Sequence, residues 1–276
     1  MSLRYYSPDE QPSAAPHAPR GAERALRPGV PLLALQSESR PKFDAVAGLV
    51  FDMGDVLFDA TAWRLWLLQL LGRMGLQAGY RTFYDVWDRE YLDEVHRGSR
   101  DYAEAFDAFL RAGGLTRSQI DEVNAASQIR KARLEDEVQP FPGVRSTLAR
   151  LHTSGFRMAV LSDSESTGEK IAARLARMGL GEYFSAVISS IDLGATKPAR
   201  EGYVKAVELL GLPPARTAFV GHDADELRGA RRAGLRTLAF NFERDAPADL
   251  YLGRFEELVP LLDRNKRLDR RFGEAA

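Results

Sequence analysis

Five short apolar runs, each bounded by polar or turn residues, follow one another along the chain from residue 45. Short runs rich in Val, Ile, Leu and Ala are typical of strands that are buried on both faces of a sheet. The runs are AVAGLVFD from Ala45, RMAVLS from Arg157, SAVISS from Ser185, TAFVG from Thr217 and RTLAF from Arg236.

Segments with helical spacing separate the later runs. They are EKIAARLARMGL from Glu169, EGYVKAVELLGL from Glu201 and ADELRGARRAGL from Ala224, and each closes near a glycine. Because strands that alternate with helices are joined by right-handed crossovers, the pattern predicts an α/β core with a mostly parallel sheet.

The first gap is different, because about 100 residues separate the first apolar run from the second, several times the length of an ordinary crossover. Apolar residues in this gap recur at helical spacing. Phe83, Trp87 and Tyr91 lie four positions apart and share one helix face, which predicts that the inserted helices have a core of their own.

Proline and glycine mark where this insert ends, in PFPGV from Pro140 to Val144. The first 40 residues are rich in Pro, Ala, Arg and Ser and show no sustained period, so they cannot bury enough apolar surface to fold. The predicted division is a flexible tail at 1–40, an α/β core at 41–60 and 140–276, and a helical insert at 61–139.

Composition excludes several classes of protein. With 38 Lys and Arg against 39 Asp and Glu, the net charge of -1 offers no general attraction to nucleic acid or an anionic membrane. The absence of cysteine excludes disulfides, Cys-based metal sites and a thiol nucleophile. The apolar runs are shorter than the ~20 residues of a membrane span, and the N-terminus lacks a secretory signal. We expect a cytoplasmic protein; the sequence indicates no oligomeric state.

Chemically active residues stand at the ends of the predicted strands. Asp52 ends the first run, Ser162 the second, Thr196–Pro198 follow the third, and Gly221–Asp223 end the fourth. Ligands of parallel sheets bind at the carboxyl ends of the strands. A carboxylate that attacks phosphorus, with a hydroxyl and an ammonium that bind its oxygens and Mg²⁺ that masks their charge, is a plausible phosphate site.

Four motifs in this order resemble those of the haloacid dehalogenase superfamily of phosphohydrolases. They are FDMGDVLFD (51–59), VLSDS (160–164), LGATKP (193–198) and FVGHDADELRGARRAGLRT (219–237). The resemblance implies a Rossmann-like three-layer core with a parallel sheet. It also implies that the helical insert is a cap domain of the type placed after the first motif.

The resemblance also implies a role for each matching residue. Asp52 is the expected nucleophile, Ser162 the hydroxyl that binds phosphate, and Lys197 the cation that steadies both phosphate and Asp52. The expected substrate-binding residues are Ser162, Asp163, Lys197 and Gly54. The expected metal ligands are Asp52, Gly54, His222, Asp223 and Glu226. From the residues alone, the less favoured alternatives are helix caps for Asp52 and Ser162 and a solvated loop position for Lys197.

The first motif departs from the family pattern at the residue two after the nucleophile. The family usually has a second Asp there, which protonates the leaving group, and this chain has Gly54. Asp55 comes one position late. It either reaches the site through a shift of the backbone and serves as the acid, or caps its loop, or is solvated. Loss of general acid catalysis costs ~10²- to 10⁴-fold, so we expect a preference for substrates with good leaving groups.

The fourth motif departs as well, because His222 stands where the family usually has an Asp that binds Mg²⁺. Imidazole is a poor ligand for Mg²⁺ and suits Mn²⁺ or Zn²⁺ better, so all three cations stay open. Glu226 is expected to hold metal-bound water or orient Lys197, or else to be an exposed charge in the first turn of a helix. His96 and Arg97 either reach over the crevice or lie in a solvated loop.

The expected function is hydrolysis of a small phosphorylated metabolite through an aspartyl-phosphate intermediate with a divalent cation. One alternative is carbon-halogen cleavage by the same Asp52, which needs neither a proton for the leaving group nor a metal. Another is an impaired relative that binds phosphate or regulates. The expected partner is the small substrate, with no nucleic acid and no membrane.

Overall fold

The computed structural model describes residues 43–76, 78–242 and 246–262. The flexible tail predicted at residues 1–40 lies outside the described residues, and so does the end of the predicted core, residues 263–276. In the described ranges, no helix is both long and apolar enough to cross a membrane.

Six parallel strands form one sheet in the order β3-β2-β1-β4-β5-β6. They are β1 (Gly48–Phe51), β2 (Arg157–Ser162), β3 (Ala186–Ser189), β4 (Thr217–Gly221), β5 (Arg236–Phe240) and β6 (Leu250–Leu252). The prediction of an α/β fold with a parallel sheet is confirmed. The sequence pattern does not predict β6, because its three residues, LYL, are too few to stand out as an apolar run.

In the described residues between β1 and β2, five helices pack around a hydrophobic cluster of their own. They are α1 (Thr61–Arg73), α2 (Tyr80–Trp87), α3 (Asp93–His96), α4 (Tyr102–Ala112) and α5 (Arg117–Glu137), with a π-helical turn joining α2 to α3. The centroid of the Trp87 ring lies 5.0 Å from that of Phe109. Phe83 and Trp87 are buried as predicted, and Tyr91 packs against them. This separate cluster favours the division into core and cap, which stays a prediction.

The helices of the core cover both faces of the sheet. They are α6 (Val144–Thr153), α7 (Gly168–Arg177), α8 (Ser190–Leu193), α9 (Arg200–Leu210) and α10 (Ala224–Arg232). Side chains alternate between faces along a strand, so Leu49 and Phe51 of β1 join one cluster with Leu148 of α6. Val50 joins the opposite cluster with Tyr203 of α9. The sheet is therefore the middle of three layers, and both of its faces are buried.

Candidate active site

The carboxyl end of β1 places Asp52 at the centre of the candidate site. β1 pairs with β2 on one side and with β4 on the other. The Asp52 N–H donates to the Val220 carbonyl at 2.9 Å, which continues the ladder one residue past the strand. Ser162 ends β2 and His222 follows β4, so the sheet brings three predicted residues to one edge. Among the described residues, no hydrogen bond joins the Ser162 hydroxyl to Asp52.

Lys197 reaches Asp52 from the loop that follows α8. Its side chain is 2% exposed, and its ammonium donates to Oδ1 of Asp52 and lies 2.7 Å from Oε1 of Glu226. Burial by itself lowers the pKa of Lys197, but the carboxylates of Asp52, Glu226 and Asp163 outweigh burial and hold that pKa well above its usual value. Lys197 is therefore a permanent cation in contact with Asp52, and not a solvated loop residue.

Asp163 faces the backbone of Lys197. Its Oδ1 accepts a hydrogen bond from the Lys197 N–H at 3.1 Å. Burial raises the pKa of Asp163 to about 6, although Lys197 opposes the shift. The direct role of Asp163 is thus to hold the loop that carries Lys197, and binding of substrate stays a prediction.

Glu226 lies in the first turn of α10 and is not an exposed charge. Its side chain is 14% exposed, and one carboxylate oxygen contacts Lys197. Burial raises the pKa of Glu226 well above its usual value, Asp52 adds to the shift and Lys197 opposes it. The contact agrees with the hypothesis that Glu226 orients Lys197, and the burial argues against an exposed charge.

The His222 side chain lies beside Asp52, whereas the side chain of the next residue, Asp223, lies at the start of α10. Nδ1 of His222 is 3.7 Å from Oδ2 of Asp52. The Asp223 carboxylate instead caps α10, where its Oδ1 accepts hydrogen bonds from the N–H groups of Asp225 at 2.7 Å and Glu226 at 3.0 Å. Potential ligand atoms of Asp52, His222 and Glu226 lie within 4.8 Å of one another. Of the five predicted metal ligands, three therefore meet through their side chains, and Asp223 does not join them.

Comparison with known proteins decides the family. The sequence model of the haloacid dehalogenase-like hydrolases matches residues 46–234, which is more than half of the chain. The chain belongs to the haloacid dehalogenase-like hydrolases. The resemblance read from the four motifs and the expectation of an enzyme are confirmed.

Relatives of this hydrolase include two named phosphatases. Glyceraldehyde 3-phosphate phosphatase of Methanopyrus kandleri is 26% identical over 70% of this chain and 83% of its own length. Phosphoglycolate phosphatase of Pectobacterium atrosepticum is 27% identical over 79% and 93%. Among solved structures, L-2-haloacid dehalogenase of Xanthobacter autotrophicus has a TM-score of 0.56 and 21% identity over 78% of this chain and 98% of its own. This last likeness shows the shared fold.

The atypical residues of the first motif, Gly54 and Asp55, lie in the turn after Asp52. Asp55 adopts a left-handed backbone conformation with φ of 57°. Its Oδ1 accepts a hydrogen bond from the Ala60 N–H at 3.1 Å, so Asp55 caps its loop as one reading of the sequence expected. Its other oxygen lies 3.9 Å from Nε2 of His222. Burial raises the pKa of Asp55, and His222 opposes the shift. Gly54 has no side chain to offer.

Residues of the inserted helical segment contact the loops that carry the site. The Thr196 hydroxyl donates to Oδ1 of Asp93 at 2.9 Å and accepts from Nε of Arg97 at 3.3 Å. Glu165, from the loop after β2, lies 3.5 Å from the Lys131 ammonium and 4.0 Å from Nε2 of His96. His96 and Arg97 therefore reach the core, whereas the sequence patterns identify neither Lys131 nor Glu165. The one signal for Glu165 is that it follows the second motif directly.

Burial of His96 predicts a pH-dependent stability. Burial lowers the pKa of His96 from 6.5 to about 4; nearby Glu165 opposes the shift and Lys197 adds to it. The unfolded chain then binds the proton more readily than the folded chain. The contribution of His96 to the free energy of unfolding should therefore fall as the pH falls from about 6.5 towards about 4.

Urea unfolding at several pH values measures this effect. We expect the slope of the free energy of unfolding against pH, between pH 6.5 and pH 4.5, to be less positive in His96→Asn than in the wild-type protein. His152→Asn changes an exposed histidine of α6 and is the control. Equal slopes for the wild-type protein and His96→Asn would contradict a buried neutral His96.

Proposed function

We propose that this hydrolase cleaves the phosphate ester of a small metabolite, with Asp52 as the nucleophile. The observation that carries the proposal is the buried Asp52 carboxylate, held by the Lys197 ammonium at the carboxyl edge of a parallel sheet. The contact fixes one carboxylate oxygen on Lys197 and leaves Oδ2 on the side of His222. Asp52 is thus oriented for reaction through a defined oxygen.

The reaction takes place in two displacements at phosphorus. In the first, Asp52 forms a bond to phosphorus as the ester oxygen leaves with its electron pair, and an aspartyl phosphate results. In the second, water attacks phosphorus as the bond from phosphorus to the Asp52 oxygen breaks, so phosphate is released and the carboxylate is restored. The proton that the water loses balances the one that the departing ester oxygen takes up. The Lys197 ammonium offsets the negative charge that develops beside Asp52, and Ser162 is the hydroxyl available on the neighbouring strand.

A divalent cation fits this site. Carboxylate oxygens of Asp52 and Glu226 and Nδ1 of His222 are the groups that would hold it, with the carbonyl of Gly54 as the backbone ligand that the family pattern implies. A bound cation would supply neutralisation of charge between the phosphate and the carboxylates.

The relatives and the first motif support a proposed substrate class. The relatives named above are phosphatases of glyceraldehyde 3-phosphate and phosphoglycolate, so we propose small phosphorylated metabolites. With Gly54 in place of the usual acid, an ester oxygen that leaves without a proton should react faster. Release of inorganic phosphate from a panel of metabolite phosphates and aryl phosphates tests the proposal.

Removal of metal should abolish this activity. We expect EDTA to lower phosphate release at least ~10²-fold, because the phosphate would then lie beside the carboxylates of Asp52 and Glu226. Among the described residues, Lys197 is the only cation that contacts both carboxylates. Activity should return when the chelator is removed and divalent metal is added. Turnover that persists at full rate in EDTA would contradict a metal-dependent phosphatase.

Carbon-halogen cleavage is the second candidate. Gly54 and His222 favour it, since a halide leaves without a proton and the reaction needs no Mg²⁺. In that reaction Asp52 displaces the halide at carbon, and water hydrolyses the ester. Halide release from a 2-haloacid in the presence of EDTA, with no phosphate release from any ester, would replace the phosphatase proposal. An impaired site would show neither activity, and vanadate with Mg²⁺, Mn²⁺ or Zn²⁺ would not raise its melting temperature.

A further inference from the structure

Two buried polar atoms of the site have no hydrogen-bond partner within the described part of the chain. They are Nδ1 of His222 and Oε2 of Glu226. A buried polar atom without a partner costs stability, and each such atom in a folded protein calls for an explanation. Both belong to the group in which the potential ligand atoms of Asp52, His222 and Glu226 lie within 4.8 Å of one another.

Contacts with Lys197 account for only half of the carboxylate oxygens. Lys197 contacts Oδ1 of Asp52 and Oε1 of Glu226. Oδ2 of Asp52 is 3.7 Å from Nδ1 of His222, which is too long for a hydrogen bond. Two atoms bound to one tetrahedral metal at ordinary bond lengths lie about 3.4 Å apart. The separation of these two atoms is therefore close to that of ligands sharing one ion.

Carboxyl groups outnumber cations around this group. The Lys197 ammonium contacts the carboxyl groups of Asp52 and Glu226, and the Lys197 N–H donates to Asp163, so three carboxyl groups lie around one lysine. A divalent cation is the group that would both balance this charge and satisfy the two buried atoms.

The types of atom decide which cation fits. Mg²⁺ prefers an octahedron of hard oxygen ligands, whereas imidazole nitrogen suits Zn²⁺, Co²⁺ and Mn²⁺. The carboxylate that could restore an oxygen-rich set, Asp223, is engaged by the backbone of α10. We propose that Asp52, His222 and Glu226 bind a transition-metal ion of the Zn²⁺, Co²⁺ and Mn²⁺ group in preference to Mg²⁺, with Nδ1 of His222 as the ligand that selects it.

Metal binding without substrate tests this proposal. Co²⁺ is added to the full, untagged chain after removal of metal, and its visible absorption reports nitrogen coordination. We expect one Co²⁺ per chain with bands that Zn²⁺ abolishes and that a ~100-fold excess of Mg²⁺ does not. We expect His222→Asp to lose affinity for Co²⁺ and Zn²⁺ at least ~100-fold and to bind Mg²⁺ more tightly than the wild-type protein.

A matched variant tests whether Co²⁺ binds at His222 and not at a histidine elsewhere in the chain. His152→Asp makes the same change on the exposed face of α6 and should leave Co²⁺ binding unchanged. His222→Asn, with circular dichroism on every variant, shows whether lost binding is lost folding. Absence of Co²⁺ bands in the wild-type protein, equal loss in His152→Asp, or displacement of Co²⁺ by Mg²⁺ at equal concentration would overturn the proposal.

The inference rests on the proposed function only for what the metal does. Binding is measured without a phosphate ester, so a protein that binds Co²⁺ and hydrolyses no ester would keep the metal site and lose the phosphatase. A protein that hydrolyses esters with Mg²⁺ and binds no Co²⁺ would keep the phosphatase and lose the selective site.

Discussion

Asp52→Asn should lower kcat/KM for phosphate esters by at least ~10³-fold, equivalent to about 4 kcal/mol of transition-state stabilisation. An amide oxygen is too weak a nucleophile to displace the ester oxygen from phosphorus. The asparagine side chain keeps the shape of Asp52 and still offers an oxygen to Lys197, so the fold should persist. Phosphate release under saturating metal, with the fold checked by thermal melting, measures the effect.

A matched variant tests whether the loss of kcat/KM comes from the carboxylate of Asp52. Asp44→Asn makes the same substitution at an exposed carboxylate just before β1, and its kcat/KM should match that of the wild-type protein. A further readout is the intermediate: acid quenching during turnover of a ³²P-labelled ester should leave label on the wild-type protein and none on Asp52→Asn. Unchanged turnover in Asp52→Asn would remove Asp52 from the chemistry.

Lys197→Met should destabilise the fold and abolish turnover. Lys197 is buried and contacts the carboxylates of both Asp52 and Glu226. Removal of one member of a buried ion pair costs about 3–5 kcal/mol, because the remaining charge has no partner. Here two carboxylates are left side by side, so the free energy of unfolding in urea should fall by an amount of this size.

The double variant Lys197→Met with Glu226→Gln separates the two effects. It removes one of the two stranded carboxylates, so we expect much of the lost stability to return while turnover stays absent. Lys205→Met, at an exposed lysine of α9, is the control for loss of a lysine and should change neither quantity. Recovery of turnover in the double variant would show that Lys197 is needed only for folding.

Much of the core could be predicted because its signals are local. The bounds of β2, β4 and β5 coincide with the apolar runs, since strands buried on both faces need continuous apolar residues. The meeting of Asp52 with Lys197 was predictable as well. The carboxyl ends of parallel strands lie at one edge of the sheet, and the motif at each strand end identifies the residue that lies there.

Other features depended on contacts between distant segments. The sequence placed Asp223 and Glu226 in the same metal group, but the backbone of α10 engages Asp223, whereas Glu226 lies beside Asp52 and His222 and contacts Lys197. The contact of Glu165 with Lys131 joins two polar residues from different parts of the chain. No local pattern marks such a pair, because charged residues on helices and loops are usually solvated.

By itself, then, the sequence determined the layered fold, the family and the meeting of Asp52 with Lys197, because periodicity and motif spacing encode which atoms come to the sheet edge. Only the tertiary structure decided which buried charged groups contact one another. Each carboxylate has two oxygens, and which of them contacts Lys197 and which faces His222 depends on side-chain packing between β1, β4 and α10. Burial then sets the pKa of each group, and burial is a property of the folded molecule.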